Sequence, residues 1–237
     1  MAVRTDFHSH ILPGIDDGSS SVEESLAMLR MEAEQGIERV VATPHFYARY
    51  ASPEEFLMKR DHSEEILRRA MAEHQGLPDL QIGAEVYYFR GISESEFLPE
   101  LAIRGTNYIL IEMPPAPWQD IQYRELVRIR ERRDLIPIIA HIDRYIKPFR
   151  TYGIPRRLYQ LPVLVQANAN FFVNPVTAGM AVKMLKNGYI QLLGSDCHNL
   201  TSRKPNLEAA RNRIRRKLGE SSLQMLSRYE SVVFDTL

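Results

Sequence analysis

One cysteine in 237 residues leaves no internal disulfide and no multi-cysteine zinc or iron–sulfur site to consider. A surplus of charge is missing too: 30 basic side chains balance 30 acidic ones, so the formal sum is zero. The chain as a whole therefore offers no excess positive field to a nucleic acid backbone or an anionic membrane surface. No window approaches the roughly 18 consecutive apolar residues of a membrane span. The start, MAVRTDFHSH, lacks the apolar centre of a signal peptide. These absences predict a soluble cytoplasmic protein that neither binds nucleic acid nor inserts into a membrane. Internal repeats, low-complexity tracts and linker-like stretches are also absent, so residues 1–237 are read as a single domain with one sizeable core.

What is present is an alternation of short β-branched apolar runs with longer amphipathic stretches, the pattern of βα units around a largely parallel sheet. Seven runs are counted, ending near His8, Pro44, Glu85, Glu112, His141, Asn168 and Asp196. Helix starts fall between them. Ser21 with Glu24 and Ser52 with Glu55 have capping-box spacing, and Asn174-Pro175 reads as a cap followed by a first-turn proline. Gly36 and Gly188 stand where helices should end. The segment around Arg203 to Lys217 begins one or two closing helices with a solvated basic face.

Active sites of parallel α/β folds form beyond the carboxyl ends of the strands, and here those ends are loaded. The first run finishes in His8-Ser9-His10, where period-two alternation sends both imidazoles to one side. The others lead to His45, Glu85, Glu112, His141, and Asp196 with His198, so five of the seven histidines lie at predicted strand ends. A single strand-end histidine reads most simply as a hydrogen-bonded core or loop residue. Together with four carboxylates, five of them would be costly to desolvate unless cations held them together. The loop PGIDDG after His10 adds Asp16 and Asp17 as oxygen donors. A mixed nitrogen and oxygen set without thiolate suits Mn²⁺, Fe²⁺ or Zn²⁺ better than Ca²⁺ or Cu⁺. Three divalent ions against four carboxylates leave about +2, which favours an anionic substrate such as a phosphate.

The segments FHSHILPGIDDGS, ATPH, GAEVYY, YILIEM, AHIDRY and GSDCHN, in this order, resemble the polymerase and histidinol phosphatase (PHP) superfamily. Within it they are most similar to the capsular-polysaccharide branch of manganese-dependent bacterial protein-tyrosine phosphatases. The resemblance runs from about residue 6 to about residue 206. It implies a distorted seven-stranded (β/α) TIM-like barrel with a trinuclear metal site, whose ligands would be His8, His10, Asp17, His45, Glu85, Glu112, His141, Asp196 and His198, with Glu85 bridging. Asp143 stands where the related HIERY motif has Glu, a position that holds no metal. Mn²⁺ is the implied metal, with three ions expected and Fe²⁺ or Zn²⁺ as alternatives. The implied substrate is phosphotyrosine on a protein, a bacterial tyrosine autokinase of the capsule or exopolysaccharide system.

Such ions can lower the pKa of a bound water to supply hydroxide and can clamp phosphoryl oxygens for in-line displacement. Arg144 and Arg203, each just after a ligand motif, are the candidate donors to the phosphoryl group, the role that the resemblance associates with their positions. Phe46, Tyr47, Tyr50, Tyr87, Tyr88 and Phe89 flank the motifs and either wall a pocket for a phenol ring or simply pack the loops. Gln166, Asn168 and Asn170 either line the end of the sixth run or cap loop backbone. Cys197 and Arg203 satisfy the C-x₅-R spacing of thiolate phosphatases, but the intervening HNLTS has no glycine to let backbone amides cradle a phosphate. Two further readings share the metal-binding scaffold: a small-molecule phosphoesterase of the histidinol-phosphate type, and a non-catalytic PHP-like regulatory module.

Overall fold

The computed structural model describes residues 3–146 and 153–235. The chain alternates as expected, strands of curled parallel sheets with helices between them. It runs β1 (Thr5–Ser9), α1 (Val22–Glu34), β2 (Arg39–Ala42), β3 (His45–Phe46), α2 (Pro53–Met71), β4 (Asp79–Ile82), β5 (Glu85–Tyr87), β6 (Tyr108–Glu112), α3 (Asp120–Arg133) and β7 (Ile136–Ile139). It continues through α4 (Ile154–Leu158), β8 (Leu164–Asn168), α5 (Ala169–Val173), α6 (Ala178–Lys186), β9 (Leu192–Gly194), α7 (Leu207–Leu218) and α8 (Glu220–Phe234).

Two of the seven expected runs are broken in two. Pro44, which has no N–H to give a ladder, separates β2 from β3, and Gly83-Ala84 separates β4 from β5. All pairings between strands are parallel: β1-β2-β4 form one sheet and β3-β5-β6-β7-β8-β9 the other. The first and last strands also meet, through a bridge between Ser9 and Cys197 and the bonds Asp196 N–H to His8 O (2.8 Å) and His10 N–H to Cys197 O (2.9 Å).

Strand alternation sorts the side chains into two layers. Val40, Ala42, Val86, Ile109, Ile111, Val165, Ala167 and Leu193 pack outward with the helices. Phe7, Val41, Tyr108, Leu110, Ile138 and Leu192 form a separate buried cluster on the concave face, joined by Val233 of α8. The concave positions therefore read upward from apolar to polar: Tyr108 and Leu110 lead to Glu112, and Leu192 leads to Gly194. β1 is the exception. Its Phe7 already faces the concave cluster, so strict alternation would turn His8 away. The register with β2 slips by one residue between Asp6 and Ser9, however, and this bulge re-aims the strand end.

The helix boundaries follow the capping signals with two differences. Ser52 forms the reciprocal box with Glu55, with Pro53 in the first turn. Ser21 caps α1 by accepting from the Glu24 N–H, but the Glu24 carboxylate turns to Ser20 instead of closing the box. Asn174-Pro175 does not start a helix. It forms the turn before α6, which begins three residues after Pro175, and the Asn174 side chain accepts from the Val176 N–H. Gly36 and Gly188 end α1 and α6 with φ of 72° and 73°. The closing basic segment is two helices, α7 and α8. No described helix is long and apolar enough to cross a membrane.

Candidate metal centre

The nine residues expected as ligands converge at the carboxyl ends of the strands. Glu85, buried on β5, stands at the middle: its Oε2 lies 3.2 Å from His8 Nε2, 3.3 Å from His10 Nε2 and 3.0 Å from His45 Nδ1, while Oε1 is 2.7 Å from His141 Nε2. Three overlapping donor sets surround it. His8, His10 and Glu85 form the first, with Asp196 Oδ1 3.6 Å from both imidazoles. Glu85, His141 and Glu112 form the second, Glu112 Oε1 being 3.6 Å from His141 Nε2. The third is His45, Asp17 and His198 together with His10, which it shares with the first, and Asp17 Oδ1 lies 3.4 Å from His45 Nε2 and 3.5 Å from His198 Nε2. Asp17 is the outermost of the nine, its side chain 65% exposed.

The chemistry of the outer partners tests whether these donors fit a cation. His10 Nδ1 is 2.7 Å from a carboxylate oxygen of Asp16, and His198 Nδ1 is 3.0 Å from the backbone carbonyl of Asp196. Both partners only accept, so each Nδ1 carries a hydrogen; His198 Nε2 then presents its lone pair inward, and His10 Nε2 does so once a cation displaces its second proton. The lone pair of His198 Nε2 is buried without a hydrogen-bond partner and faces a carboxylate oxygen. Glu85 Oε2 is likewise buried without a donor. Electron-rich atoms held this close, with ring orientations fixed from outside, are the arrangement that divalent metals require.

Protons respond to the same field. Burial alone would lower His10, but its bond to Asp16 and the adjacent Glu85 carboxylate raise it to about 10. Burial would raise Asp16, yet its partner His10 holds it to about 2. Glu85 and Asp196 are driven low against burial by the surrounding imidazoles, while burial and the charge of Glu85 raise Glu112. His198 falls to about 4 through burial and the neighbouring charge on His10.

Local backbone supplies the aim. His141 and Asp196 adopt left-handed conformations, φ 31° and 55°, which non-glycine residues rarely do and which turn both side chains inward at strand ends. Gly18 and Gly194 make room: a Cβ on Gly18 would sit 2.2 Å from His10 O, and one on Gly194 2.6 Å from His8 Cβ.

Arg144 and Arg203 both reach the site. Each donates to Asp196 at 2.7 Å, Arg144 to Oδ2 and Arg203 to Oδ1, and Arg144 also reaches Glu112 at 3.2 Å. Of the flanking aromatics, Tyr47 packs against His45 and Tyr87 with ring centroids 5.2 and 5.5 Å apart, and Tyr50 adjoins Tyr47. The others serve packing. Phe46 and Phe89 meet Phe97, and the Tyr88 hydroxyl is taken by Glu125.

Cys197 is fully buried and lies on the other side of its strand with Asp6 and Glu32, and burial pushes its thiol well up. Asp143 accepts from the Asn168 N–H at 3.0 Å. Asp16, expected beside Asp17 as an oxygen donor to metal, is turned away from the donor sets. It orients His10 and accepts from the His45 N–H at 3.0 Å, so the paired aspartates divide, one turned back to hold histidines and one turned to the rim.

Residues 4–232 match the family model described as capsular polysaccharide synthesis, CpsB/CapC. The tyrosine-protein phosphatase CpsB of Streptococcus pneumoniae is 28% identical over 239 residues, covering 93% of each chain. The tyrosine-protein phosphatase YwqE of Bacillus subtilis is 25% identical over 231 residues, covering 94% of this chain and 88% of its own. A crystal structure from work on these two proteins, called there unique metal-dependent tyrosine phosphatases, has the same fold, with a TM-score of 0.84 at 20% identity over 98% of this chain and 94% of its own.

Proposed function

The chain belongs to the capsular polysaccharide synthesis CpsB/CapC family, and from that premise we propose that it is a metal-dependent protein-tyrosine phosphatase. Its substrate in this reading is phosphotyrosine on a bacterial tyrosine autokinase of the capsule or exopolysaccharide system, met in the cytoplasm. The observation that carries the chemistry is Glu85 Oε2, buried without a donor and within 3.3 Å of nitrogens of His8, His10 and His45. The names of the relatives supply phosphotyrosine, and the autokinase comes from the family resemblance of the motifs.

The residues assigned to hold metal are His8, His10, Glu85 and Asp196; Glu85, Glu112 and His141; and Asp17, His45 and His198, with Glu85 shared. Three ions, Mn²⁺ by preference with Fe²⁺ or Zn²⁺ as alternatives, would neutralise the four carboxylates. When bound, such ions lower the pKa of a water and draw charge from phosphoryl oxygens during in-line displacement. Arg144 and Arg203 flank Asp196 with side chains 39% and 37% exposed, so their outer N–H groups can receive the equatorial oxygens of a phosphoryl group. Tyr47 and Tyr87 offer ring faces beside His45 for the phenol. A phenolate leaves with little protonation, so this site needs no further acid.

We read the fold as a distorted seven-stranded (β/α) barrel of the PHP type in one domain over residues 1–237. Taking β2 with β3 and β4 with β5 as single staves gives seven, and the Ser9–Cys197 bridge between the first and last supports closure.

The test is hydrolysis of a phosphotyrosine peptide and of histidinol phosphate by Mn²⁺-reconstituted protein, with Asp196→Ala as control. Preferential, chelator-sensitive turnover of the peptide that Asp196→Ala abolishes is expected. Preference for histidinol phosphate would overturn the substrate, and full activity in Asp196→Ala would overturn the site. Failure to bind metal would leave the regulatory-module reading.

A further inference from the structure

Among the staves, β8 is the one whose end carries none of the nine candidate ligands, yet two of its concave positions are polar and buried. Gln166 is fully buried and Asn168 is 7% exposed. Gln166 Oε1 accepts from the His141 backbone N–H at 2.6 Å and lies 3.3 Å from His8 Nδ1. Gln166 Nε2 donates to Asn168 Oδ1 at 3.0 Å, and Asn168 Nδ2 donates to Asp196 Oδ2 at 2.8 Å.

Both ends of this chain of bonds have fixed polarity. A backbone N–H can only donate, so the Gln166 atom facing it is the carbonyl oxygen. A carboxylate held ionised can only accept, so the Asn168 atom facing Asp196 is the amide nitrogen. The middle bond then has one possible sense, and neither amide can flip without losing a partner. The consequence reaches His8. Because Gln166 Oε1 is an acceptor, His8 Nδ1 must donate, and Nε2 is left as the lone-pair nitrogen facing Glu85 Oε2. Gly194 belongs to the same device, since a Cβ there would meet Gln166 Nε2 at 2.6 Å and His8 Cβ at 2.6 Å.

We propose that Gln166 and Asn168 are positioning residues of the metal centre: Gln166 selects the Nδ1–H tautomer of His8 and ties it to the His141 backbone, and Asn168 passes the same constraint to the Asp196 carboxylate. His8, His141 and Asp196 come from three separate strand ends, and this pair links all three from a fourth. The proposal rests on the metal reading given above, and the test separates the two.

The tautomer is read by ¹⁵N–¹H correlation of histidine rings in metal-free protein, titrated to the alkaline end point at which the His8 ring nitrogens show a neutral imidazole. Mn²⁺ affinity is read by calorimetric titration, with thermal unfolding alongside. In wild type, His8 should carry its proton on Nδ1. Gln166→Leu should lose that signature and weaken Mn²⁺ binding by about 10–100-fold. Gln166→Glu, which keeps the acceptor facing His8 Nδ1 and the His141 N–H but loses the donor to Asn168, should restore the His8 signature while Mn²⁺ binding stays below wild type. An unchanged tautomer with wild-type affinity in Gln166→Leu overturns the proposal, as does a Gln166→Glu variant that fails to restore the His8 tautomer. If Gln166→Leu fails to fold, Asn168→Ala serves in its place. It should leave the His8 tautomer intact while weakening Mn²⁺ binding, and undiminished binding overturns the link to Asp196. Because the tautomer is measured without metal, a wild-type protein that takes up no Mn²⁺ refutes the metal reading while the ring signature still decides the role of Gln166.

Discussion

His10 sits between two carboxylates, Asp16 behind it and Glu85 before it, and this position gives it a measurable pH signature. Its folded value of about 10 exceeds the ordinary 6.5. The sign follows directly: the bound proton stabilises the metal-free protein below about pH 6.5, and that stability is lost as pH rises toward 10. Asp16, held to about 2 against an ordinary 3.8, works the other way, contributing stability above pH 4 that is lost as pH falls to 2. A divalent ion competes with the His10 proton, so apparent Mn²⁺ affinity should climb by about tenfold per pH unit between pH 7 and 9, with protons released on binding. Titration calorimetry in buffers of different ionisation enthalpy checks this, and flat affinity would remove His10 from the ligands. Asp196→Ala should cost more than the roughly 10–100-fold typical of outer partners, in both metal occupancy and turnover. Cys197→Ala should keep phosphatase activity and lose about 1 kcal/mol of stability, because the thiol is buried away from the site.

At the scale of elements, the site depends on where strands stop behaving regularly. The β1 bulge lets Phe7 fill the concave apolar cluster while the next residue, His8, reaches Glu85. The breaks at Pro44 and Gly83-Ala84 begin the short strands that carry His45 and Glu85 side by side in parallel register. Gly194→Ala inserts a methyl group between His8 and Gln166, so it should destabilise the fold by about 1–3 kcal/mol and weaken metal binding together. Denaturant unfolding and Mn²⁺ titration on one preparation would show whether the two losses are coupled. Val233 of α8 lies in the buried apolar cluster of the concave face, so Val233→Ala should cost about 1–3 kcal/mol and leave metal stoichiometry unchanged. Strand ends and caps were legible because alternation and capping are local rules. The bulge, the broken runs and the late start of α6 were not, since each depends on which neighbouring strand or turn supplies the hydrogen bonds.

For the molecule as a whole, the zero formal charge hides a strong internal asymmetry: carboxylates and imidazoles gather at one end of the parallel strands and apolar side chains fill the other. Binding metal there stabilises only the folded state, so chelation should lower Tm and abolish turnover, and added Mn²⁺ should restore both with a concentration dependence set by the affinity. Differential scanning fluorimetry beside a phosphotyrosine peptide assay tests the two losses together. The alternation of elements, the eight histidines and carboxylates at strand ends and the two arginines beside them were legible in the amino-acid sequence, because strand periodicity and residue chemistry are properties of short segments; Asp17 as the ninth came from the family resemblance. Tertiary structure alone decided that Asp16 and Gln166 hold imidazoles from behind and that Tyr88 belongs to Glu125. Each of these turns on which of two faces or partners a side chain meets. That choice is made by packing and hydrogen bonding between segments as far apart as His8 and Gln166, which no local pattern encodes.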